Sequence, residues 1–491
     1  MPTIVLVIQQ GFSARVLLQT EVLDTLLESG ARIVVLASGA PAIEKYLQNR
    51  GISQVMVESL DIVHYRVRGE RMLETLLRRS RLYGIDTKTV HDTIEMDWKD
   101  AWTRRNLPGL LGMVFSRVAA WMMRSSATIM RIVVNLENCL YAPHPHDDFF
   151  EKYRPDVVVL TSLGTFDYDH YVIREAKRYG AHVVSYVLSW DNTSVRGLGV
   201  NLSDRVIVWS NAMKDELVNL HRIPAEIISV DGVPHYDFYE NGKAHIMSKD
   251  KLAREFDCDP NKRLLFLGTK SPNTFLYNVD IARVICEAIR DGRLPEDCHL
   301  IARPHPIYFR RRDGQYVFEK EVQEWEELLN QYAGDCLSID YPTMIDGRLN
   351  FFMPDSEIPK LASILENSDV VVNMFSTLNV EASIFDKPTV NVAFQFEHKR
   401  PPSAKIARFN IHYDEVQTHN QRVIQSGGTT VAHSVEQLIE QINQYLQNPR
   451  LHAAGRKQIV ANECGVNLGR AGRAVGQTIL RVEAGETQAE A

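Results

Sequence analysis

Short runs of β-branched and other apolar residues recur along both halves of the chain, each followed by a stretch with helical spacing. Thr3-Ile4-Val5-Leu6-Val7-Ile8 comes first. An amphipathic segment over 16–29 follows, and then Ala31-Arg32-Ile33-Val34-Val35-Leu36-Ala37. A buried-type strand, a helix and a second buried-type strand make a βαβ unit, which implies parallel pairing with a right-handed crossover. The same kind of run returns at 155–160, 181–188 and 204–208. It returns again at 263–268, 299–302, 369–374 and 389–393. Strands apolar along their whole length are those covered on both faces. The expected class is α/β, with two parallel sheets, and 491 residues suit that number of domains.

The rhythm breaks in two places. Residues from about 66 to 141 read as mostly helical, an insertion in the first domain. Residues 241–262 are charged and short of apolar runs, which reads as a linker. The expected organisation is a Rossmann-like domain over 1–240, the linker, a second Rossmann-like domain over 263–465, and a C-terminal helix and tail over 466–491. That helix is expected to pack back on the first domain.

Hydrophobic residues make up 45% and charged residues 24%, ordinary for a globular chain. A net charge of −7 argues against a general nucleic-acid binder. The six cysteines are scattered with no Cys-x-x-Cys pair, which fits reduced thiols and a cytoplasmic setting. The N-terminus has no basic leader-type segment, and no window of about 18 residues is free of charge, so no membrane span is expected. Within 107–134, Arg117, Arg124 and Arg131 stand seven residues apart in an apolar stretch, with Trp98, Trp102 and Trp121 nearby. Two readings fit: helices packed on the sheet, or a basic amphipathic face resting at the periphery of an anionic membrane.

Open α/β sheets hold ligands outside the carboxyl ends of their strands, so the polar residues that follow the strand runs are the candidates. Gly268 and Thr269 end one run and precede a helix, a junction suited to phosphate. Arg303-Pro304-His305-Pro306 ends the next. An arginine there can clamp phosphate, and a histidine can hydrogen-bond a diphosphate or act as an acid. Ser376 and Thr377 follow 369–374 as helix-capping hydroxyls. Glu381, about one turn on, can take ribose or sugar hydroxyls. In the first half, Asp191 follows 181–188 and is the general-base candidate; an Asx-type turn is its other reading. Gly11 either makes a tight turn or admits a substrate close to the backbone. His144, His146, Asp147 and Asp148 have metal-binding chemistry, and Asp167-Tyr168-Asp169 and Asp257-Cys258-Asp259 are DxD triplets. None stands where a strand would present it, so no metal is assigned.

Taken together, these residues resemble the GT-B fold of glycosyltransferases. Within it they are most similar to the teichoic-acid CDP-glycerol glycerophosphotransferases and related capsule transferases. Asp231-Gly232-Val233-Pro234-His235-Tyr236-Asp237, Arg303-Pro304-His305-Pro306 and the stretch 367–388 carry the resemblance. The chain departs from the family at Asn373-Met374-Phe375, where a Thr-Asp-Tyr is usual. It departs again at Ser189-Trp190-Asp191-Asn192, which stands in place of a His-Gly-Thr-type loop. The resemblance implies two Rossmann-like domains whose sheets face across a cleft, the first on the acceptor side. It implies metal-independent transfer from a CDP-, CMP- or UDP-linked donor to a glycan or lipid-linked acceptor in cell-wall or capsule synthesis. No further cofactor is expected. Gly268, Thr269, Arg303, His305, Ser376, Thr377 and Glu381 would bind the donor. Arg303 and His305 would neutralise the departing phosphate, and Asp191 would deprotonate the acceptor. A non-hydrolysing UDP-sugar 2-epimerase shares the two-domain plan. A catalytically silent binding scaffold is the alternative of another class.

Overall fold

The computed structural model describes residues 1–63, 72–166, 168–312, 314–345, 349–396 and 411–483. The expected start of the insertion near residue 66 and Asp167 of the first DxD triplet lie outside the described residues. The chain forms two compact units. The first takes Met1–Asp237, the segment Ile345–Phe352 and the chain from Gly465 onward; the second takes Phe238–Met344 and Met353–Cys464.

Each unit is built on a parallel sheet. In the first, β1 (Thr3–Ile8), β2 (Arg32–Ala37), β3 (Met56–Ser59), β4 (Val157–Leu160), β5 (His182–Tyr186), β6 (Arg205–Val208) and β7 (Ile228–Val230) lie in the order β3-β2-β1-β4-β5-β6-β7. In the second, β8 (Arg263–Gly268) and β9 (Cys298–Arg303) are followed by a short antiparallel ribbon, β10 (Arg311–Arg312) with β11 (Gln315–Tyr316). Then come β12 (Leu337–Ile339), β13 (Val370–Asn373), β14 (Thr389–Val392) and β15 (Thr430–Ala432), in the order β12-β9-β8-β13-β14-β15. The central strands are buried throughout, as in Val157–Leu160 and Val370–Asn373. Both sheets wind outward in two directions from their first strand. The order therefore reverses between β1 and β4 and between β8 and β13, where crossovers to opposite faces leave a crevice.

Four readings of the sequence change. The segment 16–29 is not one helix. Gly11–Leu18 and Glu21–Glu28 are separate, because the Thr20 hydroxyl donates to the Val16 carbonyl (2.6 Å) and accepts from the Val22 N–H (3.3 Å). Gly11 faces the chain's own backbone. Its N–H donates to the Asn350 carbonyl at 2.6 Å, and a Cβ there would fall 2.2 Å from Phe351. The segment 241–262 is not a bare linker. Lys249–Glu255 is a helix of the second unit, and its Leu252 packs with Phe256 against Leu264 and Phe266. Two apolar residues four apart suffice to bury one face of so short a helix.

The fourth change is in the insertion, which contains helices Met72–Leu82, Lys88–Thr103, Leu107–Ser125 and Ala127–Leu140. The chain turns at Ser126, which caps the second of the last two helices. Arg117, Arg124 and Arg131 therefore do not share one continuous helix. Arg117 and Arg131 are exposed, whereas Arg124 turns inward and donates to the Tyr83 carbonyl at 2.6 Å. The insertion is tied to the sheet by buried Glu137, which meets Arg81 at 3.0 Å and Arg174 at 2.7 Å. Burial pushes the Glu137 carboxyl up, but the two guanidiniums outweigh it and hold the group below its ordinary range. The C-terminal helix Ala471–Glu483 belongs to the first unit. The Asp237 carboxylate caps it, accepting the N–H groups of Ala471 (3.0 Å) and Gly472 (2.7 Å).

Candidate functional site

The order of the second sheet reverses between β8 and β13, and most of the candidate residues lie at the carboxyl ends of these strands and of β9. Gly268 pairs with Arg303 across the sheet. A Cβ on Gly268 would meet the tip of Leu378 at 2.3 Å, so the loops after β8 and β13 adjoin. The Thr269 N–H donates to the Arg303 carbonyl (3.1 Å), and the Thr269 hydroxyl accepts from the His305 N–H (2.8 Å). His305 Nδ1 accepts from the Ile307 N–H at 3.2 Å. The ring proton therefore sits on Nε2. Burial pushes the imidazole pKa down to about 4. At neutral pH His305 is an uncharged Nε2–H donor, and the cationic role expected of it is not available.

Arg303 is committed elsewhere. Its guanidinium bonds the Asp340 carboxylate and, at 2.6 Å, that of Glu357. Asp340 also meets Lys360 at 2.5 Å, and Glu357 accepts from the Thr343 N–H at 3.0 Å. The charges balance within this group, so Arg303 shapes the loops rather than presenting an open fork.

The loop after β13 rests on three asparagines. Asn373 ends β13, Asn379 lies on helix Leu378–Ile384, and Asn391 lies in β14; all three are buried. Asn373 Nδ2 donates to Asn379 Oδ1 (3.1 Å), and Asn379 Nδ2 donates to Asn391 Oδ1 (3.0 Å). Asn391 Oδ1 also accepts from the Phe375 N–H (3.2 Å), and Asn373 Oδ1 accepts from the Ser376 N–H (3.0 Å). Phe375 is held at φ +53° in the process. A carboxylate at 373 would have no N–H for Asn379, so the amide answers a structural demand of this loop. The Ser376 hydroxyl accepts from the Leu378 N–H at 3.2 Å, whereas Thr377 makes no side-chain cap. Glu381 accepts from the Tyr239 hydroxyl.

Asp191 belongs to the first unit and follows β5. It opens the short helix Asn192–Val195, and its carbonyl accepts from Ser194 and Val195 (3.0 Å each). Its carboxylate is half-buried and has no hydrogen bond or ion pair among the described residues. The corresponding reversal in this sheet, between β1 and β4, also has a polar cluster. Asp169 accepts from the Gln9 amide and the Ser162 hydroxyl (2.6 Å), and Ser13 and Thr161 hydroxyls lie 2.7 Å apart. His146 serves as a latch, with Nδ1 on Glu175 (3.1 Å) and Nε2 accepting from the Asp61 N–H (2.9 Å). Sequence reading missed the asparagine chain and the two carboxylates on Arg303. The available signal was an asparagine in each of two otherwise largely apolar strands, Asn373 at the end of Val370–Asn373 and Asn391 within Thr389–Val392.

No family model matches the sequence, and no curated protein matches it. Solved structures do match over nearly the whole chain. MnaA of S. aureus, solved with UDP, aligns over 100% of this chain and 99% of its own at 11% identity, with a TM-score of 0.54. UDP-GlcNAc 2-epimerase from Neisseria meningitidis, bound to UDP-GlcNAc, aligns over 98% and 100% at 12% identity, with a TM-score of 0.52. A glycosyltransferase from Rickettsia africae aligns over 100% and 99% at 12% identity, with a TM-score of 0.50.

The fold is GT-B.

At such low identity the likeness concerns the arrangement of strands and helices alone. The GT-B neighbours named above are an epimerase and a glycosyltransferase alike, so their fold does not choose between the two reactions.

Proposed function

We propose that this chain is a GT-B transferase. It would take a glycosyl or glycerophosphate group from a CDP-, CMP- or UDP-linked donor to a glycan or lipid-linked acceptor in cell-surface polysaccharide synthesis, without a metal. The observation that carries the reading is the polar edge between β8 and β13, where Thr269, His305 and Ser376 stand on loops locked by buried hydrogen bonds. A neutral Nε2–H donating to a leaving phosphate oxygen would stabilise developing charge without transferring its proton. Asp191 would serve the acceptor hydroxyl as base.

The rival reading is a UDP-sugar 2-epimerase, the activity of the N. meningitidis neighbour. Epimerisation needs an acid–base pair at the sugar. In the second unit Asp340 and Glu357 are paired with Arg303, and Glu381 is bonded to Tyr239. That commitment favours transfer. A thermal-shift screen against CDP, CMP, UDP, GDP and their sugar conjugates tests the donor site. A ligand at 100 times its Kd adds about 2.7 kcal/mol, and Ser376→Ala should weaken the response. Conversion of UDP-GlcNAc to its 2-epimer with no acceptor present would replace transfer by epimerisation. No response to any nucleotide would favour the silent scaffold.

The proposal includes peripheral contact with an anionic membrane through 107–134. Among the described residues no helix is long and apolar enough to cross a membrane. Leu107, Leu111, Val114, Phe115, Val118 and Trp121 are exposed along one helix, and residues 101–136 contain five arginines and no acid. An exposed stripe of this kind, with tryptophan and only positive charge, suits a lipid interface. Each surface arginine contributes about 1 kcal/mol on anionic lipid. Arg117→Ala with Arg131→Ala should thus lower partition onto phosphatidylglycerol vesicles roughly 30-fold. Unchanged partition would remove the membrane from the proposal.

A further inference from the structure

A polar cavity lies in the first unit. It has a volume of about 270 Å³, and Arg78, Arg79, Arg196, Asp97, Tyr83 and Thr165 are among the residues that line it. Arg78 and Arg79 come from the insertion helix Met72–Leu82 and are partly buried. Arg196 follows the short helix that Asp191 opens, with its guanidinium 4.9 Å from the centre of the Phe166 ring. Thr165 lies in the connection that leaves β4, and Arg196 in the one that leaves β5. The cavity thus sits at the carboxyl edge of the first sheet, where open α/β sheets take their ligands.

Its charges do not balance. None of the Arg78, Arg79 and Arg196 side chains has a hydrogen bond or ion pair among the described residues. Among the described residues the one carboxylate in the lining, Asp97, accepts from the Tyr83 hydroxyl at 2.6 Å. Among those residues, three guanidiniums against one carboxylate leave an excess of two positive charges. Like charges gathered at one partly buried edge repel one another, so a cavity lined this way is stabilised by an anion. Guanidinium forks match the oxygens of a phosphate. The excess suits a doubly charged group, a phosphate monoester or a diphosphate, better than a single carboxylate.

We propose that this cavity is a phosphate-binding subsite for the acceptor. The acceptor would carry a phosphate monoester or diphosphate group, held by Arg78 and Arg79 and by Arg196, which lies on the loop that carries Asp191. Assigning the anion to the acceptor rests on the transfer reading above; the anion site itself does not.

Calorimetric titration with inorganic pyrophosphate tests it on the full chain. Two charge-assisted contacts are worth about 1.5–3 kcal/mol each, so Arg79→Ala with Arg196→Ala should weaken binding about 100-fold or more. Arg79→Lys with Arg196→Lys, which keeps the charge, should recover part of it. If the double alanine variant melts early, Arg196→Ala alone serves, because Arg196 is exposed and its removal opens no core. Failure of pyrophosphate to bind, or full retention by the arginine variants, overturns the proposal. Farnesyl phosphate separates the two sources of the group. Binding tighter than pyrophosphate assigns it to a lipid-linked acceptor, and comparable binding to a water-soluble one. Loss of pyrophosphate binding in the arginine variants, with no nucleotide response in the donor screen, keeps the anion site and removes the transfer reading.

Discussion

Replacing Arg303 by methionine is expected to destabilise the second unit by about 3–5 kcal/mol, the usual cost of removing one partner from a buried ion pair. Arg303 bonds Asp340 and Glu357, whose side chains are 0% and 2% exposed. Without the guanidinium, two carboxylates stay behind in a site that water hardly reaches, with Lys360 as the remaining cation. Burial works against the charge of Arg303, but the carboxylates more than offset it and hold its pKa above the ordinary value. Urea unfolding followed by hydrogen exchange at β9 and β12 measures the loss. Adding Glu357→Gln to the methionine variant should recover much of it, because Asp340 and Lys360 then balance each other. An unchanged unfolding midpoint together with a lost nucleotide response would restore Arg303 to the role of an open phosphate clamp.

His305→Ala is expected to lower kcat/KM by about 10²–10³, the usual effect of removing one donor to developing charge. The fold should survive, since the main-chain bond from residue 305 to the Thr269 hydroxyl does not need the ring. The pH profile distinguishes a neutral donor from a cation. Burial places the His305 pKa at about 4, so the ring stays uncharged from neutrality down to that region. Wild-type turnover between about pH 5 and 8 should then show no His305 inflection near its unperturbed pKa of about 6.5, and its contribution should change only as pH falls towards about 4. His305→Gln, whose amide can place an N–H near Nε2, should restore part of the rate. Near-normal turnover in His305→Ala would remove the residue from the mechanism.

Much of the fold is legible in local pattern. Val157–Leu160 and Val370–Asn373 read as strands covered on both faces, and they are. A run that is apolar at every position has one stable place in an α/β chain, and its neighbours in sequence suffice to reveal it. The candidate loops were legible for the same reason: a polar residue after a buried strand must emerge at the carboxyl edge. Local pattern misled where a single side chain altered the backbone, as Thr20 does in ending a helix and Ser126 in separating two.

By itself, then, the sequence determined two parallel α/β sheets and the edge at which each would hold a ligand. Only the tertiary structure decided which polar groups are available there. The partners of Arg303 lie 37 and 54 residues away, and those of Asn379 lie on two different strands. The same structure gathers Arg78, Arg79 and Arg196 around one cavity with a single carboxylate among its described lining residues. Hydrophobic periodicity is a property of neighbours along the chain, so it can be read from the sequence. Charge pairing is a property of neighbours in space, and one and the same arginine is a structural counter-ion or a ligand clamp according to what the fold sets beside it.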